Sequence, residues 1–250
     1  MMKKTLLAVC VLGLLLLNAC KKENDTFVSA PLNDYAPLQV GKYIVYKLDS
    51  FVYLSFGTRD TTISYEVKYT VLKSITDNIG RNGFLITRHI RKTAAQAWKE
   101  DNSFQVFNTE STYEFTENNL KFINLVLPVK ENTTWKGNSY LPDKPYPSYD
   151  FASAFTEDWD YIYVDVDQPL SLGALNFDTT VTVLQRDDEL GDPSVPGTAF
   201  AEKTYSIEKY AKGTGLVYKD FLHWEYQGGD PGEKGTYKGF GIKLTAIEHN

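Results

Sequence analysis

The chain sets 26 Lys and Arg against 32 Asp and Glu over 250 residues, for a formal charge of −6. That shortage of cations argues against a nucleic-acid binder, which needs surplus Lys and Arg to meet phosphates. Aromatic residues at 14% argue against disorder, and two cysteines are too few for a disulfide framework or a cysteine zinc site.

In chain order, Lys3 and Lys4 give a basic start, and Thr5 to Leu17 follows as an uncharged, leucine-dominated run. At 13 residues this run is too short to span a bilayer as a helix, which takes about 20. A basic start and a short apolar stretch ending in a small residue describe a secretory signal peptide. The stretch closes as Leu17-Asn18-Ala19-Cys20, which resembles the lipobox of bacterial lipoproteins, although Asn18 departs from the residues commoner at its place. The resemblance implies cleavage before Cys20 and attachment of acyl chains to Cys20. Each buried methylene contributes about 0.8 kcal/mol, so two or three such chains anchor a protein stably without a transmembrane helix.

On that reading residues 1–19 are a signal peptide, and the mature charge becomes −8 with the loss of Lys3 and Lys4. Cys20 is left as the only thiol, which removes cysteine nucleophiles and thiolate ligands from the folded part. Residues 20–33 form a lipidated tether. In the lipoprotein family an Asp directly after the Cys favours inner-membrane retention. Lys21 stands there instead, so the resemblance implies the outer membrane, with the periplasmic or surface face left open. The charged tract Lys21–Asp25 resembles surface-export tags of some lipoproteins and equally suits a solvated linker.

From residue 34 to 250 the chain reads as a single β domain. In 63–74 the odd positions Ile63, Tyr65, Val67, Tyr69 and Val71 alternate with mostly polar even positions, the pattern of a half-buried strand. Segment 176–185 repeats this with Phe177, Val181 and Val183. Segment 215–226 places Leu216, Tyr218, Leu222, Trp224 and Tyr226 on one parity, and a last strand carries Phe240, Ile242, Leu244 and Ala246. Turn signals fall between, at Asn82-Gly83, Asn118-Asn119 and 228–232. Helix signals are thin: 93–100 supports two turns, and 149–159 is ambiguous. Pro142, Pro145 and Pro147 mark a long loop. The expected fold is therefore all-β, with antiparallel sheet arranged as a sandwich, barrel or curved half-barrel and at most one or two short helices.

A weak internal echo links the Pro37–Gly41 entry, before Tyr43 and Tyr46, with the Leu127–Lys130 entry before Trp135. The opening segment, the LPV…W…GN stretch and the YAKGTGLVYK run together resemble all-β envelope lipoproteins of Gram-negative bacteria. That resemblance implies no particular activity.

Chemistry is harder to find. His89 and His223 sit on polar parities as cross-strand partners, and His249 lies at a mobile end. The richest cluster is Asp158 to Asp167. There Asp165 and Asp167 share a strand face with Trp159, Tyr161 and Tyr163, and Trp135 is a further aromatic contributor. Rings stack on sugar faces while carboxylates accept from hydroxyls, so these six residues form a candidate binding site. A solvated strand end with its rings turned to the core explains the same pattern. No EF-hand spacing, phosphate loop or nucleophile elbow occurs, so no metal, cofactor or catalytic residue is expected. The expectation is a non-enzymatic, membrane-anchored binding or assembly component of the envelope. Its partners are a membrane, through acyl chains on Cys20, and a protein, lipid or glycan ligand. A lipid or lipoprotein carrier built on a half-barrel, and a glycan binder or glycosidase, are the alternatives.

Overall fold

The computed structural model describes residues 27–143, 145, 159–230 and 233–250. The lipobox residues Leu17, Asn18 and Ala19, the acyl-bearing Cys20, Asp158 and most of the ambiguous 149–159 segment lie outside them.

Among the described residues twelve strands form one antiparallel sheet: β1 (Tyr43–Leu54), β2 (Arg59–Thr76), β3 (Asn82–Arg91), β4 (Lys99–Asn108), β5 (Thr112–Glu117), β6 (Leu120–Val126), β7 (Thr134–Lys136), β8 (Asp160–Leu172), β9 (Leu175–Leu190), β10 (Phe200–Ala211), β11 (Gly215–Gln227) and β12 (Thr236–His249). Their order is β6-β5-β4-β3-β2-β1-β12-β11-β10-β9-β8-β7. Two meanders are thus joined in the middle, where the first strand pairs with the last.

The sheet then curls until its two edges meet. The Ile123 N–H donates to the Gly137 carbonyl at 2.9 Å. The Trp135 indole donates to the Ile123 carbonyl at 2.7 Å. The Tyr163 hydroxyl bridges the edges from within, donating to the Val126 carbonyl and accepting from its N–H, each at 2.8 Å. Edge β7 is only three residues long, so these side-chain bonds take over part of the work of strand pairing. Of the three architectures left open by the sequence, the chain forms the nearly closed barrel.

Alternation positions most of the core as the sequence indicates. Val67 and Val71 of β2, Phe177, Val181 and Val183 of β9, and Leu244 and Ala246 of β12 are all buried. Strand β11 does the reverse. Val217, Phe221 and His223 are buried, whereas Tyr218, Leu222, Trp224 and Tyr226, the more apolar parity, face outward and are only half-buried. Trp224 and Tyr226 can do so because they pack on the outward ring of Tyr237 in the neighbouring strand.

Two local expectations also change. No helix forms over 93–100. A single turn there is closed by Gln96 N–H to the Thr93 carbonyl, β4 begins at Lys99, and Trp98 packs under the Arg91 guanidinium at 4.1 Å. The β2–β3 turn lies at 77–81 rather than at Asn82-Gly83, because the Asp77 carboxylate accepts from the Ile79 and Arg81 N–H groups and fixes the bend. Gly83 is instead a strand residue, where a Cβ would fall 2.5 Å from the Phe107 ring. Asn118 and Asn119 do form the β5–β6 turn, both with positive φ as a type I′ hairpin requires.

A short helix, α1 (Leu32–Tyr35), plugs one end of the barrel. Leu32, Tyr35 and Ala36 are buried among core residues. The plug is tied down by Gly213 N–H donating to the Asp34 carbonyl at 2.7 Å. The tips of the β1–β2, β9–β10 and β11–β12 hairpins lie at the opposite end.

Candidate functional site

Inside the barrel lies a cavity of about 480 Å³. Its walls are aromatic: Tyr46 from β1, Tyr69 from β2, Tyr113 and Phe115 from β5, Tyr210 from β10 and Phe221 from β11, with Tyr35 of α1 at the plugged end. Inward alternation on each strand brings these rings together.

Set among the rings is a charged pair. Glu208 on β10 stands directly across from Lys219 on β11, and its carboxylate accepts from the Lys219 ammonium at 2.9 Å. The same carboxylate accepts from the Tyr210 hydroxyl at 2.5 Å and from the Asn124 amide at 3.2 Å. The Glu208 side chain is 2% exposed. Beside it, the Ser206 hydroxyl donates to the Gln185 side-chain carbonyl at 2.6 Å. Arg88 lines the cavity too, with its guanidinium 3.8 Å from the Glu117 carboxylate and donating to Asp101 at 2.6 Å.

Burial pulls the Lys219 ammonium down, but the attraction of Glu208, reinforced by their hydrogen bond and by Glu117, more than offsets it and holds the group above its usual range. Burial and the Glu208 charge push the Tyr210 and Tyr113 hydroxyls upward. The cavity therefore keeps a charged Lys219 and protonated phenols at neutral pH, which places hydrogen-bond donors around the Glu208 carboxylate on largely aromatic walls, with Arg88 and Glu117 as a second charged pair. No three metal-ligating side chains come together among the described residues.

The structure distributes the sequence-singled residues over three places. Trp159 and Tyr161 line the cavity, and the Tyr161 hydroxyl donates to the Asn138 side-chain carbonyl at 2.8 Å. Trp135 and Tyr163 belong to the seam, with ring centroids 4.6 Å apart. Asp165 and Asp167 leave the ring face altogether. Both take positive φ, 51° and 58°, and pairing of β8 with β9 skips from Val164 to Gln168. The irregularity carries the two carboxylates to the surface, where Lys212 donates to Asp167 at 3.0 Å and Lys209 lies 3.9 Å from Asp165. The Tyr35 hydroxyl also donates to Asp167 at 2.9 Å. Burial would raise the Asp167 carboxyl, but Lys212 and Tyr35 outweigh it and hold the group below the usual carboxylate range.

His223 is fully buried, and its Nδ1 pairs with the Thr204 hydroxyl across the strands at 2.9 Å, as a cross-strand partner should. His249 is not at a loose end. It closes β12 with its ring 5.8 Å from that of Phe177.

Glu208, Lys219 and Tyr210 escape a reading by composition, because a polar parity in a strand is ordinarily the wet one. A signal was present nonetheless. Thr204, Ser206 and Glu208 on β10, and Lys219 and His223 on β11, are polar faces that meet when the hairpin is folded about Lys212-Gly213-Thr214.

No protein-family model and no curated protein matches the sequence. Among solved structures, the chain is similar to a Bacteroides fragilis crystal structure of a protein inferred to be exported and described as having a YmcC-like fold. The match covers 84% of this chain and 97% of that one, at 11% identity and a TM-score of 0.34. At that level the likeness says nothing about activity.

Proposed function

We propose that this chain is a membrane-anchored envelope lipoprotein that binds a small ligand inside its barrel. The anchor reading rests on Leu17-Asn18-Ala19-Cys20. The ligand reading rests on one observation: an ion pair, Glu208 with Lys219, placed in an aromatic cavity of small-molecule size. A buried ion pair adds little stability over an apolar replacement of the same shape. Its presence beside open space therefore favours recognition over folding as its role. The ligand that suits it has an apolar or ring-like body to lie on the tyrosines and one polar end carrying both donor and acceptor groups.

The test is native mass spectrometry of the full chain taken from its own membrane in mild detergent, compared with the double variant Glu208→Gln/Lys219→Met, which removes both charges together. The wild type should retain a bound small molecule that the double variant loses. A wild-type protein that carries nothing, or equal retention by both, overturns the reading. Labelling with an alkyne fatty acid that is abolished by Cys20→Ala checks the anchor separately.

A further inference from the structure

Outside the barrel, at the end opposite α1, a second aromatic layer sits on the sheet. Tyr53 and Tyr237 stack with centroids 5.2 Å apart and planes 7° from parallel. Trp224 meets Tyr237 edge-on at 5.7 Å, and Phe51 meets Tyr53 edge-on at 5.1 Å. These rings come from β1, β11 and β12, and all four are half-buried. They stand on the outward parity of those strands, with the wall of the barrel between them and the cavity residues Phe221 and Phe240.

The layer forms the floor of a shallow groove with charged banks. The turn at Ser55–Gly57 lies so close over β12 that a Cβ on Gly57 would fall 2.1 Å from the Tyr237 carbonyl oxygen, and the residue takes φ +84°. Thr58, Arg59 and Asp60 follow on one bank, and Lys234 stands on the other. Arg59 spends its Nε and Nη2 on the Ser55 hydroxyl, at 3.2 and 3.0 Å, and its Nη1 makes no hydrogen bond with another described residue. The Asp60 and Lys234 side chains make no hydrogen bond or ion pair with another described residue.

We propose that this groove binds a saccharide chain. A pyranose offers an apolar C–H face that fits against a ring and a rim of hydroxyls that need both donors and acceptors. Here half-buried aromatic rings line a groove together with a guanidinium, an ammonium and a carboxylate with bonding capacity to spare. A peptide added as a strand needs a sheet edge. Strands β1, β11 and β12 are each paired on both sides, so no backbone edge is offered. A protein interface usually engages about 20–30 residues a side, whereas this groove is lined by ten. Strand β1, about 36 Å long at the usual rise, separates the groove from the plugged end and carries it away from the chain's N-terminal side.

The experiment uses the full chain in a detergent without a sugar head group, and the probes are maltohexaose, cellohexaose, chitohexaose and hexagalacturonate. Saturation-transfer NMR should detect at least one of them. Trp224→Ala and Tyr237→Ala should each weaken that binding about tenfold. The exposed variant Asp60→Asn should weaken it about threefold, and it keeps the test alive if the aromatic variants fold poorly. The Glu208→Gln/Lys219→Met variant should bind the sugar as the wild type does, which separates this groove from the cavity. No transfer to any probe, or undiminished binding in folded Trp224→Ala, overturns the proposal. So does a Trp224-dependent contact with a protein in place of the sugars.

Discussion

The same three groups occur twice in this molecule. Asp167 accepts from the Tyr35 hydroxyl at 2.9 Å and the Lys212 ammonium at 3.0 Å; Glu208 accepts from the Tyr210 hydroxyl at 2.5 Å and the Lys219 ammonium at 2.9 Å. Only the surroundings differ. The Asp167 side chain is 61% exposed and that of Glu208 is 2% exposed. Water screens Asp167 and Lys212, so their ion pair is replaceable by solvent at small cost, while the Tyr35 phenol that joins them is buried. The second has no such reserve, since a carboxylate among tyrosine rings relies on its protein partners for solvation. Identical chemistry is thus a surface fastening in one place and a structural commitment in the other.

The largest expected effect breaks the buried member. Lys219→Met leaves Glu208 without its cation and should lower the unfolding free energy by about 3 kcal/mol in a urea titration at pH 7. Adding Glu208→Gln should recover much of that loss. Equal destabilisation by the single and double changes would show that Lys219 matters through packing alone.

A second measurement asks how dry the interior is. Burial pushes the His223 imidazole down to about 4 from its ordinary 6.5. Between these values the unfolded chain binds the proton and the folded chain does not. Stability is therefore full above pH 6.5 and declines as the pH falls towards 4, by roughly 3 kcal/mol in all. Urea midpoints at pH 7 and pH 4.5 should separate less in His223→Gln than in the wild type. Parallel pH profiles for the two proteins would mean that the ring is solvated when folded.

The smallest effect lies at the exposed member. Lys212→Ala should cost less than about 1 kcal/mol, and less still at high salt. Because the Asp167 carboxyl is held below its ordinary 3.8, its contribution is present above that value and fades as the pH falls through the lowered one. NMR titration of Asp167 should show the carboxyl returning towards 3.8 in Lys212→Ala. A loss as large as that of Lys219→Met would erase the contrast between the two sites.

Much of the barrel was legible because strands with one wet face write a two-residue period. Val67 and Val71, Phe177 and Val183, and Leu244 and Ala246 can be assigned inward by parity alone. Parity fails where both faces carry aromatic residues. In β11 the rings of Trp224 and Tyr226 lie against Tyr237 on the outside, while Lys219 and His223 take the inside. It fails again at Asp165 and Asp167, where two positive φ angles turn the chain over and cancel the alternation that grouped them with Tyr161 and Tyr163. The Glu208–Lys219 pair depends on register between strands, and register is set by the 211–215 turn and the one-residue shift at Lys209/Tyr210, which no single-strand pattern encodes.

The joint between β1 and β12 bears on how the molecule comes into being. Tyr43 and Asn250 close it at one end, with the Asn250 side-chain oxygen accepting from the Tyr43 N–H at 2.7 Å. Neighbouring strands elsewhere are short-range partners that can zip as they emerge, but this central contact spans nearly the whole chain and carries a high loop-closure cost. Each meander can begin folding early, and the seam at Ile123 and Gly137 joins them locally, yet the sheet stays open at its middle until β12 pairs with β1. A truncation of only the last strand would therefore divide the sheet at its middle instead of trimming its margin.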